Sequence, residues 1–142
     1  MAGNFKYTTG LNNVGAFQVS GMPYATGSLT IPASGSAPLK IEFPYVTQWI
    51  SVTNVNAKHV RLGFSETGVT NGEPRNYVLI HEDNHPAEHT YYLKLTELWL
   101  LSDTGQSVPN FSVIAGLTNI PVERINNISP SGSNWSGSIG VG

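Results

Sequence analysis

The chain contains no cysteine, which excludes disulfides, thiolate metal sites and a cysteine nucleophile and leaves packing or assembly as the source of stability. Charge is also scarce, at 11% of residues against roughly 25% in ordinary soluble domains. The seven basic residues (Lys6, Lys40, Lys58, Arg61, Arg75, Lys94, Arg124) are scattered among nine acidic ones. No basic stripe can therefore track a phosphate backbone or an anionic membrane, and neither nucleic acid nor membrane is expected as a partner. No apolar run approaches the ~18 residues of a membrane span. The opening MAGNFKYTTG lacks the charged and apolar regions of a signal peptide, so synthesis in the cytoplasm is expected. Also missing are the G-x-S-x-G elbow, the G-x-x-x-x-G-K-[ST] phosphate loop and the dinucleotide-binding glycine fingerprint.

What is present is a two-residue rhythm. Val60, Leu62 and Phe64 alternate with Arg61, Gly63 and Ser65, giving one buried and one wet face. Ile50 and Val52 in QWISVTN, and Phe111, Val113 and Ala115 in NFSVIAG, do the same. GSLTI (27–31), PLKIEF (38–43), NYVLI (76–80) and TYYLKLTELWLL (90–101) read as further strands. In the last of these the alternation slips near Thr96-Glu97, where a bulge or strand break is expected. A helix through the same stretch is the competing reading, opposed by Tyr91, Tyr92 and Thr96. PASGSAP, SETGVTNGEP, HEDNHPAEH and SDTGQSVPN are turn-rich and punctuate the strands. The expectation is an all-β fold, a single β-sandwich of seven to nine short antiparallel strands, jelly-roll-like in preference to immunoglobulin-like.

A chain of 142 residues is long enough for one domain with a real core. The sandwich is assigned to 26–125, preceded by an N-terminal arm or first strand region over 1–25 and followed by a Gly- and Ser-rich tail over 126–142. The tail carries Trp135, Ile139 and Val141, and reads either as a frayed end or as an arm lying on a neighbouring subunit.

His81-Glu82-Asp83-Asn84-His85 matches the zinc-protease pattern H-E-x-x-H. That chemistry needs both histidines one helical turn apart on one face. Pro86 pushes His85 out of the α region, and strand-like sequence flanks the segment on both sides, so a loop is expected. His81, His85 and His89, with Glu82, Asp83 and Glu88, remain candidate ligands for a divalent ion if that loop folds back on itself; an exposed hairpin loop is the simpler reading, and no cofactor is assigned. His59 and Asp103 with a serine would make a triad only by tertiary accident. Glu42, Glu66, Glu73 and Glu97 are the candidates for a carboxylate pair. No enzymatic activity is expected.

Trp49, Trp99 and Trp135 can stack on sugar rings; for Trp49 and Trp99, inside strands, core or sheet-face packing is the alternative role. Tyr91 and Tyr92 face opposite ways in a strand, leaving one of them available for contact. Three N-glycosylation sequons begin at Asn110, Asn127 and Asn134.

The segments FKYTTGLNNVGAFQVSGMPYATGS, WISVTNVNAKHVRLGFSETG and FSVIAGLTNIPVERI resemble, in texture, the minor capsid and capsid-decoration β-sandwich proteins of double-stranded DNA viruses and phages. The resemblance implies a non-enzymatic virion structural protein, made in the host cytoplasm, that decorates or cements a capsid. The implied partners are copies of itself, with a trimer favoured, and the major capsid protein. A carbohydrate- or receptor-binding module, as on a viral fibre, is the alternative.

Overall fold

A computed structural model describes residues 21–70, 75–81, 87–124 and 135–142 of the chain. Among these, eight strands form two four-stranded sheets. Sheet A runs β1 (Met22–Ile31), β8 (Val108–Pro121), β3 (Tyr45–Asn54) and β6 (Ala87–Tyr91); sheet B runs β2 (Leu39–Glu42), β7 (Glu97–Ser102), β4 (Val60–Gly63) and β5 (Tyr77–Ile80). Every pairing is antiparallel. Strand 1 pairs with 8, 2 with 7, 3 with 6 and 4 with 5, so the chain is one long hairpin wound across both sheets, the double-sheet jelly roll.

The alternation read from the sequence is what closes the sandwich. Ile50 and Val52 of β3, Val60 and Leu62 of β4, Leu98 and Leu100 of β7, and Phe111, Val113 and Ala115 of β8 all point inward and join one core with Ile31, Ile41 and Ile80. Each large side chain buried this way contributes about 1.5–3 kcal/mol. Tyr24 meets Phe43 edge-on, with ring centroids 5.2 Å apart, carrying the core to the β1 end. Tyr91 packs against the same cluster, and its burial pushes its hydroxyl above the ordinary tyrosine range, whereas Tyr92 is exposed.

Asn54 is the buried polar link between the layers. Its side-chain amide donates to the carbonyls of Lys58 (2.8 Å) and Ile80 (3.1 Å), and its Oδ1 accepts from the Asn56 N–H. Sheet A is thereby tied to the β5 edge of sheet B, with the polar groups satisfied.

Several expectations are corrected. The stretch 90–101 is two strands, since β6 ends at Tyr91 and β7 begins at Glu97; this is the strand break expected near Thr96. β1 starts at Met22, within the segment read as an arm or first strand region, and its ladder with β8 carries two bulges, one on β1 at Ser28 (φ 54°) and one on β8 at Asn110 (φ 60°), each in a left-handed conformation. The turn-rich SETGVTNGEP holds a short helix, α1 (Glu66–Thr70). Ser65 caps it by accepting from the Gly68 N–H at 2.9 Å. The loop read over 81–89 is shorter than expected, because Ala87–Tyr91 is strand β6, with Glu88 and His89 in it.

The tail reading also changes. Residues 135–142 lie against their own chain: Trp135 packs on the core cluster, and the Ser65 hydroxyl donates to the Val141 carbonyl at 2.7 Å. Residues 1–20 and 125–134 lie outside the described residues, as do Glu73, Glu82, Asp83, His85, Asn127 and Asn134.

Candidate functional site

The two sheets present different outer faces. On sheet A, the register aligns Pro23 of β1, Gly116 of β8 and Trp49 of β3 in one row across the strands. The next row is Ala25, Ile114, Ser51 and Thr90, and beyond it Ser112, Thr53 and Glu88 follow. The indole of Trp49 lies over Gly116, where any Cβ would meet the pyrrole edge of the ring. Glycine is thus required by close approach, and its absence of a side chain lets the ring lie down on the sheet.

Beside that ring are Ile114 and Met22, 45% and 38% exposed, respectively. Together with Pro23 they line an open groove of about 280 Å³. At this end of the face, none of the described residues lining the groove is ionisable. The other end is polar: Thr90 donates to Ser51 at 3.2 Å, and Ser51 in turn is 3.4 Å from the Glu88 carboxylate. An aromatic plane thus adjoins a line of hydroxyls ending in a carboxylate.

Sheet B's outer face is self-satisfied by contrast. Lys40 bridges Glu42 (2.8 Å) and Glu97 (3.3 Å), lies 5.4 Å from the Trp99 ring centre, and Trp99 donates its Nε1–H to Glu97. Hydrogen bonding to Lys40 holds the Glu42 carboxyl below its ordinary range, and the same bond raises Lys40. Arg61 pairs with Asp103 at 2.7 Å, donates to the Val69 carbonyl and covers the Tyr77 ring. Helix α1 sits on this sheet, with Val69 fully buried above Gly63.

These contacts decide several of the candidates. Glu42 and Glu97 do face each other across β2 and β7, yet Lys40 ion-pairs with both, and a lowered Glu42 carboxyl is the opposite of what a general acid needs. Asp103 does not orient His59: its carboxylate binds Arg61, while its backbone N–H donates to the His59 carbonyl. The triad geometry is therefore not met. Of the three candidate histidine ligands, His89 lies in β6 with its ring stacked 6.4 Å from Tyr91, His85 is outside the described residues, and His81 meets His59, with ring centres 4.2 Å apart. Among the described residues no group of three or more His, Asp and Glu converges to hold a metal. Asn110, the first residue of a sequon, is exposed on a β8 bulge.

Sequence reasoning did not single out Ile114 or Gly116 as site residues, and it weighed His59 only as a triad member, never as a neighbour of His81. The signal for the first two was available, because Ile114 and Gly116 share the parity of the wet residue Ser112 in NFSVIAG, and Trp49 shares that of Ser51 and Thr53 in QWISVTN. For the pairing of His59 with His81 no local signal existed.

No protein-family model, curated protein or solved structure matches the chain. No helix among the described residues is long and apolar enough to cross a membrane.

Proposed function

We propose that the chain is a non-enzymatic virion structural protein, a jelly-roll building block that assembles with copies of itself and decorates or cements a capsid of major capsid protein. The observation that carries this reading is the groove on the outer face of sheet A at Met22, Pro23, Trp49 and Ile114, which is apolar, open and, among the described residues that line it, without ionisable groups. A patch of this kind on one sheet marks a contact surface. Because it carries no charge, two copies brought together by rotational symmetry do not repel each other. A second copy of this chain is therefore its occupant, in a homo-oligomer for which a trimer is favoured. The low overall charge serves close packing on a capsid lattice in the same way.

A second reading has its own support. The Trp49 plane beside Ser51, Thr90 and Glu88 is the combination that holds a sugar, with the ring stacking on the pyranose face and hydroxyls and carboxylate meeting its hydroxyls. This is the carbohydrate- or receptor-binding module of the alternative.

Light scattering on the purified chain, with Ile114→Glu beside it, tests the first reading; a glycan array with Trp49→Ala tests the second. The assembly reading expects an oligomer that Ile114→Glu converts to a monomer, and co-sedimentation with capsid shells that the variant loses. A wild-type monomer that retains a defined sugar through Trp49 would reverse the order of the two.

A further inference from the structure

We propose that His59 and His81 form a two-histidine chelate for a borderline divalent transition metal, of the Zn²⁺, Ni²⁺ or Cu²⁺ class, on the β4–β5 edge of sheet B. The register makes the pair. Val60 faces Ile80 across β4 and β5, so His59, one residue before, and His81, one residue after, are the next positions along the same antiparallel ladder. Side chains directly opposite in such a ladder start from Cβ atoms about 4.5–5.5 Å apart. Here the imidazole centres are 4.2 Å apart with their planes at 58°. That tilt is not a parallel stack. Rings this close can each turn one nitrogen toward a shared ion, as two ligands at a metal–nitrogen distance of about 2.0–2.1 Å must.

The second observation is chemical. His59 Nδ1 is buried, and it is the one buried side-chain nitrogen or oxygen among the described residues that lacks a hydrogen-bond partner. A buried nitrogen without a partner calls for a water, an ion or a strained site to explain it. The surrounding backbone is fixed: the His59 carbonyl accepts from Asp103 N–H at 3.0 Å, and Asn54 holds the carbonyls of Lys58 and Ile80 on either side. The two rings are thus carried on a rigid frame, which lowers the ordering cost of binding. His81 is exposed, so water can complete the coordination. Imidazole pairs select Zn²⁺, Ni²⁺ and Cu²⁺ over the oxygen-seeking Mg²⁺ and Ca²⁺.

The test uses the full chain, dialysed against chelator, and titrates it calorimetrically with Ni²⁺, Cu²⁺ and Zn²⁺ in turn, with Mg²⁺ as control. Wild type, His59→Gln, His81→Gln and His89→Gln are compared, and thermal unfolding is followed with and without metal. One equivalent of metal is expected on wild type and on His89→Gln, weakened at least ten-fold in each of the other two. At metal 100 times the dissociation constant, the melting temperature rises by roughly 9 °C, and His81→Gln loses that rise. Because His81 is exposed, that variant is expected to keep the fold, so a lost metal response there reports ligation. Absence of saturable binding to wild type overturns the proposal. So does binding that survives both His59→Gln and His81→Gln, or that only His89→Gln removes.

Discussion

The outer faces of the two sheets share one core and differ in almost everything else. Sheet B has covered itself: α1 packs Val69 onto Gly63, Lys40 joins Glu42 and Glu97 beside Trp99, and Arg61 is held by Asp103, Val69 and Tyr77. Sheet A leaves Trp49, Ile114 and Met22 in an open groove whose lining, among the described residues, holds no ionic group. Each face has a tryptophan on its wet side. On sheet B the indole is engaged by Lys40 and Glu97, and on sheet A it lies on bare glycine. A face whose groups are paired within the chain has little left to offer a partner, and the apolar one is the surface that the proposed assembly would cover.

The comparison breaks most completely where both faces depend on the same atoms. Phe111→Ala removes a fully buried ring from the shared core, at a cost of about 3–5 kcal/mol. Denaturant unfolding read at the tryptophans should shift as a single transition, since neither sheet has a core of its own. Next comes a change confined to sheet B. Asp103→Ala leaves the Arg61 guanidinium, with a side chain 16% exposed, without its carboxylate; the partial exposure limits the loss to about 1–2 kcal/mol. On sheet A, Ile114→Glu should change the stability of the monomer by less than about 0.5 kcal/mol, because the side chain is 45% exposed, while removing assembly as seen by light scattering.

The smallest effect is electrostatic and belongs to sheet B alone. Glu42 is lowered from its ordinary 4.5 by its bond to Lys40, so its contribution is complete above 4.5 and fades as pH falls through the depressed value in the folded chain. Lys40 is raised from 10.5, so its contribution is complete below 10.5 and fades as pH rises through the raised value. Lys40→Met should flatten both limbs of the stability profile slightly, and high salt should shrink the difference further because the pair is exposed.

Much of the fold was legible because it is written in alternation. The pairs Val60/Leu62 and Ile50/Val52, and the trio Phe111/Val113/Ala115, all point inward as their spacing demanded, and the slip at Thr96 marked the gap between β6 and β7. Helix α1 was missed because five residues are too few to show a 3.6-residue period; it stands on the Ser65 cap and on packing over Gly63, of which only the cap is local. The same limit explains the tail: nothing near Val141 in sequence announces Ser65 as the donor to its carbonyl. The H-E-x-x-H match led toward neighbours in sequence, whereas the neighbour His81 has in space is His59, across a strand pair whose register only the folded chain defines.

The claim that sheet A's outer face is the assembly surface is tested most directly by hydroxyl-radical footprinting of the full chain, at a dilution that keeps it monomeric and at a concentration that assembles it. Met22 and Trp49 should lose reactivity on assembly, while Trp99, already engaged on sheet B, stays unchanged. Protection of Trp99 with Trp49 unaffected, or no change at either tryptophan in an assembled sample, would contradict the account.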